Sequence, residues 1–181
     1  MLKRNLVITS FLLLLILCME TNNYESFSLE ILNQEQIENY YEETSNQDQI
    51  IESYAGILEI PSIELKRGFY TKNSPLNQVD LNIELISNCN PNQACDFILA
   101  SHSGNSSISF FKNLDQLCIN DMAKLDYQHQ KFAYHLSKIE NQQKNGMISL
   151  EKTNQSRLIL TTCDKQNQFI QKVYIFTKEE A

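Results

Sequence analysis

The pattern of hydrophobic and polar positions divides the chain into three regions. Residues Leu6–Met19 form a nearly continuous apolar run, and residues 21–54 are mostly polar, rich in Glu, Asn and Gln. From Gly56 onward, short runs of β-branched and aromatic residues alternate with turn residues, which is typical of β-strands. This pattern predicts eight strands, at Gly56–Ile60, Glu64–Tyr70, Asn82–Ile86, Phe97–Ser101, Ala123–Tyr127, Lys131–Ile139, Arg157–Thr162 and Lys172–Thr177.

Eight strands in about 120 residues, with little helix between them, predict a mostly β domain, either a closed barrel or a sandwich of antiparallel strands. One window between the strands has helical spacing of its apolar residues, from Ser107 to Leu117, with Phe110, Phe111 and Leu114 inside it. The length of 181 residues accommodates one such domain and an N-terminal appendage.

The N-terminal apolar run follows two basic residues, Lys3 and Arg4. It is shorter than the roughly 20 residues of a usual membrane-spanning helix, so it fits either a short anchor or a cleaved signal peptide. The bulky residues around Cys18 and Met19 argue against cleavage. We therefore predict a transmembrane anchor at residues 1–20 with its basic end in the cytoplasm, a stalk at 21–54 that is partly helical or disordered, and a catalytic domain at 55–181 outside the cell membrane.

The formal net charge is −7 and the chain contains three Arg, so a basic surface for nucleic acid is not expected. Five Cys are present. Cys89 and Cys95 are six positions apart in a loop-like stretch and either form a small disulfide or remain two free thiols. No Cys or His spacing indicates a metal site, and no cofactor is predicted.

Two apolar strands end on reactive side chains: one runs into Ser101-His102-Ser103, and the other delivers Cys163 after Thr162. A Cys at a strand end is most often a small buried hydrophobe, and a single His most often makes a local hydrogen bond. Together they also suit nucleophilic catalysis, because a nearby imidazolium favours the reactive thiolate. A serine hydrolase is disfavoured, since no Gly-x-Ser-x-Gly motif is present.

The order of these segments resembles the sortases, extracellular cysteine transpeptidases of Gram-positive bacteria. The resemblance covers about residues 56–176. It is carried by the early strand and its proline, by the stretch that leads to the His strand, by the His turn with the apolar residues behind it, and by the Cys strand end. These segments are Gly56–Pro61, Asn77–Ile83, Leu99–Ser106 with Phe110–Leu114, and Leu160–Cys163, the last being similar to the family's Thr-Leu-x-Thr-Cys.

The resemblance implies a closed eight-stranded sortase-type β-barrel with one or two short helices. It also implies that Cys163 is the nucleophile and His102 its proton-transfer partner, with Thr162, Ser101 and Ser103 along the substrate site. The family's third catalytic residue is an Arg on the strand after the Cys. Alignment of the apolar run places Gln171 there, a neutral donor without the charge or two-pronged geometry of a guanidinium.

The implied reaction is cleavage of a Leu-Pro-x-Thr-Gly-like sorting signal through a thioacyl-enzyme. The partners would be a secreted protein with a C-terminal sorting signal and an amine of a peptidoglycan precursor or a pilin. Two alternatives remain. One is a catalytically weakened module that binds surface-protein peptides without turnover, which the missing Arg favours. The other is a cysteine peptidase that transfers the acyl group to water.

Overall fold

The computed structural model describes residues 24–41 and 53–179. A helix over residues 24–41, here α1, precedes eight strands. All eight predicted strands are present. They are β1 (Gly56–Ile60), β2 (Leu65–Phe69), β3 (Glu84–Leu85), β4 (Asp96–Ala100), β5 (Met122–Tyr127), β6 (Gln130–Gln143), β7 (Arg157–Cys163) and β8 (Ile170–Lys178).

The strands form one sheet in the order β2-β1-β5-β6-β8-β7-β4-β3. A single bridge between Phe69 and Ile83 joins the two ends of this sheet, so the barrel is nearly closed. The expectation of an antiparallel structure is wrong at two positions, because the bridge between Phe69 and Ile83 is parallel and β4 and β7 also pair in parallel. Parallel neighbours need a long connection between them, and here it contains β5 and β6.

The barrel core follows the alternation of side chains along the strands. Leu99 of β4, Leu160 of β7 and Phe176 of β8 all point inward and are fully buried. The outer face of β7 and β8 is also covered, since the connection from β6 to β7 lays apolar side chains over it. This second cluster contains Ile159, Val173 and Ile175 packed with Ile98, Ile148 and Leu150. Burial on both faces explains the unbroken apolar run of β7.

Helix α1 packs against the barrel within the segment predicted as a stalk. Ile37 and Tyr40 join a small apolar cluster with Tyr54. Asn33 is fully buried, and its Oδ1 accepts from the Gly68 backbone N–H at 3.2 Å. A Cβ at Gly68 would lie 1.9 Å from the Tyr54 ring, so only glycine fits there. The division into anchor, stalk and catalytic domain stays a prediction.

The window Ser107–Leu117 is not a continuous α-helix. It forms a series of turns ending in a 3₁₀ helix at Leu114–Gln116, and a second 3₁₀ helix lies at Pro61–Ile63. Apolar residues of the window, including Phe111, are nevertheless buried. Consecutive turns direct these side chains into the barrel core, as a helix would.

Cys89 and Cys95 form a disulfide, which settles the choice left open by their spacing. The predicted anchor at residues 1–20 lies outside the described residues. Within the two described ranges, no helix has the length and apolar character needed to span a membrane.

Candidate active site

The two reactive strand ends predicted from the sequence are neighbours in the sheet. The parallel register of β4 and β7 pairs Ala100 with Thr161, and the Ser101 N–H donates to the Thr161 carbonyl at 3.3 Å. Continuing this register brings His102 level with Cys163. Side chains at the same level of adjacent parallel strands share a face, and the strands lie roughly 4.8 Å apart. The pairing therefore brings the ends of the two segments that carry the predicted nucleophile and its partner together at one edge of the sheet.

The hydroxyls of Thr162 and Ser103 fix the two strand ends to each other, and Ser101 takes part through its backbone while its own Oγ has no partner among the described residues. Thr162 Oγ1 donates to the Ser101 carbonyl at 2.7 Å, and Ser103 Oγ donates to the Cys163 carbonyl at 2.5 Å. All three are buried. Their observed contacts position the backbone that carries His102 and Cys163, and their contact with a substrate stays a prediction.

His102 is held through both its ring and its backbone. Its Nε2 lies 2.8 Å from Asp80 Oδ1, and its carbonyl accepts the Phe111 N–H at 3.0 Å. Asp80 belongs to the loop before β3, which is anchored where Asn77 Oδ1 accepts the Leu85 N–H at 2.7 Å. The His102 side chain is 37% exposed, so part of the imidazole is accessible to solvent.

Cys163 is half-buried at the last position of β7, on the outer face that also carries Ile159. Its Sγ lies 3.1 Å from Lys144 Nζ, the first residue after β6. No hydrogen bond joins Cys163 to His102 among the described residues; the thiol contacts Lys144 and the imidazole contacts Asp80.

Gln171 lies directly opposite Cys163 in the antiparallel pairing of β7 and β8. Its side chain is nearly buried, and its Nε2 donates to the Met147 carbonyl at 2.6 Å. One amide hydrogen thus ties the connection between β6 and β7 to the sheet. The prediction that Gln171 stabilises an oxyanion is compatible with this position and remains to be tested.

The residue after the nucleophile, Asp164, carries a stabilised negative charge. The backbone N–H of Gln166, then the Lys172 ammonium and the backbone N–H of Asn167, hold the pKa of Asp164 below its usual range. Lys172 Nζ lies 3.2 Å from Asp164 Oδ2, so Lys172 pairs with Asp164 and not with Cys163. In the described part of the chain no cluster of His, Cys, Asp and Glu is suited to hold a metal ion.

These groups together suit thiol chemistry on a carbonyl. The structure offers a half-exposed thiol, a cation in contact with it, an imidazole in the segment that follows the adjacent strand, and an amide side chain on the residue paired with Cys163. Attack by the thiolate, proton transfer by the imidazole and stabilisation of a developing oxyanion are the three requirements of acyl transfer.

A comparison with protein-family models matches residues 58–180 to the sortase domain. The chain belongs to the sortase family. Family membership supports sortase-type cysteine transpeptidase activity in general. A comparison with curated proteins gave no match.

Solved sortase structures share this fold at low sequence identity. A sortase D5 transpeptidase of Clostridium perfringens superposes with a TM-score of 0.63 at 17% identity, covering 83% of this chain and 98% of that one. Sortase C1 of Streptococcus suis gives 0.62 at 19% identity, covering 72% and 75%. Sortase C of Clostridium perfringens SM101 gives 0.59 at 18% identity, covering 71% of each chain.

Sequence reasoning missed Lys144 and Asp80 as contacts of the two reactive side chains. Asp80 lies in the Asn77–Ile83 segment that resembles the family, but its contact with His102 depends on the path of a loop. Lys144 reaches Cys163 because β6 pairs with β8, a pairing of strands that are not consecutive. The alternation along β6 would have indicated the face of Lys144 once that pairing was known.

Proposed function

We propose that this sortase cleaves a Leu-Pro-x-Thr-Gly-like sorting signal near the C-terminus of secreted proteins and transfers the cleaved protein to an amine. The observation that supports the proposal is the parallel pairing of β4 with β7, because the segment that carries His102 follows β4 directly and the half-exposed Cys163 ends β7. The acceptor amine would belong to a peptidoglycan precursor or to a pilin.

The proposed reaction has two acyl-transfer steps. The Cys163 thiolate attacks the Thr carbonyl carbon, and the C–N bond to the Gly breaks as His102 gives a proton to the leaving amine. The acceptor amine then attacks the thioester and loses a proton to His102, and the thiolate leaves. Gln171 would donate its free amide hydrogen to the oxyanion, with Ser101, Ser103 and Thr162 maintaining the walls of the site.

We further propose that the enzyme is held by one N-terminal membrane helix, with its barrel outside the cell. The basic residues before the apolar run support this orientation. The Cys89–Cys95 disulfide supports an oxidising location for the barrel, because such bonds are uncommon in a reducing cytosol.

The test is turnover of a sorting-signal peptide by the full chain in mild detergent, with and without an added amine. We expect a transfer product with the amine, identified by its mass, and its loss in Cys163→Ala. If the peptide is hydrolysed at the same rate with and without the added amine, and no amine is incorporated, the enzyme is a peptidase. A wild-type chain that binds the peptide and leaves it intact would contradict the proposal and favour the catalytically weakened module that binds peptides without turnover.

A further inference from the structure

The lysine that follows β6 touches the nucleophile. Lys144 Nζ lies 3.1 Å from Cys163 Sγ. The start of this side chain is fixed, because the Lys144 backbone N–H donates to the Phe169 carbonyl at 2.8 Å and so continues the ladder between β6 and β8. The contact therefore begins from a backbone position that the sheet defines.

The register explains how a lysine two strands away reaches the sulfur. Gln142 of β6 pairs with Gln171 of β8, and Gln171 pairs with Cys163 of β7, so these three side chains lie in one row on the outer face. Lys144, two positions after Gln142, shares their face. Two strand spacings amount to about 10 Å, which an extended lysine and a cysteine span together.

The charges around Cys163 leave Lys144 without a competing partner. Asp164 pairs with Lys172 at 3.2 Å, and Asp80 contacts His102 at 2.8 Å. On the connection from β7 to β8, Lys165 pairs with Asp115 at 2.9 Å. No carboxylate of the described residues pairs with Lys144, so its charge is available to the thiol.

We infer that Lys144 is a catalytic residue that stabilises the Cys163 thiolate, supplying the positive charge that the neutral Gln171 cannot supply. The ammonium donates a hydrogen bond to the sulfur and keeps its proton throughout. The sulfur loses its negative charge when it bonds to the carbonyl carbon and regains it when the acceptor amine displaces it. For turnover this inference rests on the proposed function, but the state of the thiolate can be measured without turnover.

The test measures the rate at which iodoacetamide alkylates Cys163 in the full chain in detergent. The mass of the peptide that contains Cys163 reports the extent of alkylation, and the measurement is repeated across a pH series. In Lys144→Met we expect about a tenfold lower rate near neutral pH, because one nearby charge in a solvated site favours the thiolate by roughly that factor. Lys144→Arg, which keeps the charge, should remain within about threefold of wild type.

Two internal references separate a local effect from a general one. Lys152 is exposed in the same connection between β6 and β7, so Lys152→Met should leave the profile unchanged. Cys118 is an exposed free thiol, and its alkylation should be equal in all variants. Equal thermal unfolding of the variants shows that the fold is intact.

An alkylation profile of Lys144→Met that matches wild type would overturn the inference, as would an equal loss in Lys144→Arg. These results are independent of the proposed function. A wild-type chain inactive on sorting peptides would refute the function and leave the alkylation comparison valid. An active wild type with an unperturbed Lys144→Met would refute the role of Lys144 alone.

Discussion

Strand β7 has a cation at each end, and the two cations are held in opposite ways. At its start, Arg157 is almost fully buried, with Nε 2.7 Å and Nη2 3.0 Å from the two Asp96 oxygens and a further bond to the Glu151 carbonyl. At its end, Lys144 is exposed, contacts Cys163, and pairs with no carboxylate of the described residues.

The difference separates a structural charge from one available for chemistry. Both carboxylate oxygens of Asp96 bind the Arg157 guanidinium, which joins β7 to β4. The positive charge of Arg157 is therefore neutralised within the barrel. Arg157 also lies about 20 Å from Cys163 along the extended strand, too far to act on the thiol. Lys144 has the opposite character, since its charge is directed at a reactive atom.

The largest expected effect at the Cys163 end is that of His102→Ala. Removal of the proton-transfer group should lower kcat for sorting-peptide turnover by about 10² to 10⁴-fold. The unfolding midpoint serves as the control for an intact fold. A loss of less than threefold would show that His102 is not the proton donor.

A substitution at the start of β7 should change the free energy of unfolding. Arg157→Met leaves the half-buried Asp96 carboxylate without its partner, and we expect a loss of about 2 kcal/mol in the free energy of unfolding. Urea unfolding of the full chain in detergent, followed by tyrosine fluorescence, measures it. Lys144→Met should leave this free energy unchanged.

A double variant sharpens this prediction. Because an apolar pair can replace a buried ion pair at little cost, Arg157→Met with Asp96→Leu should recover part of the lost stability. If the single Arg157→Met variant unfolded like wild type, the pair would contribute nothing, and the contrast between the two ends of β7 would fail.

The same contrast shows how far the sequence alone could lead. The eight strands and the residues at their ends were predictable, because alternation and apolar runs are local properties. The parallel pairing of β4 with β7 and the pairing of β6 with β8 were not, since they depend on which distant strands meet. The contact between Lys144 and Cys163 is a consequence of the second pairing.

The helix expected over Ser107–Leu117 shows that a local pattern can also mislead, because the segment forms turns and a short 3₁₀ helix. Its apolar spacing correctly indicated burial, but turns can bury the same side chains as a helix does. Periodicity identified the inward face of this segment and left its backbone conformation undetermined. Core contacts were therefore more predictable than local geometry here.

A smaller effect is expected from Gln171→Ala. If its free amide hydrogen stabilises the oxyanion, turnover should fall at least about tenfold. The matched control is Gln142→Ala, because Gln142 holds the same connection through its bonds to Ser149 but does not lie opposite the sulfur. Equal losses in both variants would make Gln171 a positioning residue for the connection rather than an oxyanion donor.

The smallest effect should come from the exposed partner of His102. Asp80 is 78% exposed, and an ion pair of this kind contributes little, so Asp80→Asn should lower kcat/KM about two- to fivefold. High salt screens an exposed pair, so wild type and Asp80→Asn should converge as salt is raised. A deficit that salt does not alter would mean that Asp80 acts by shaping the loop before β3, and the charge at His102 would then be irrelevant to the rate.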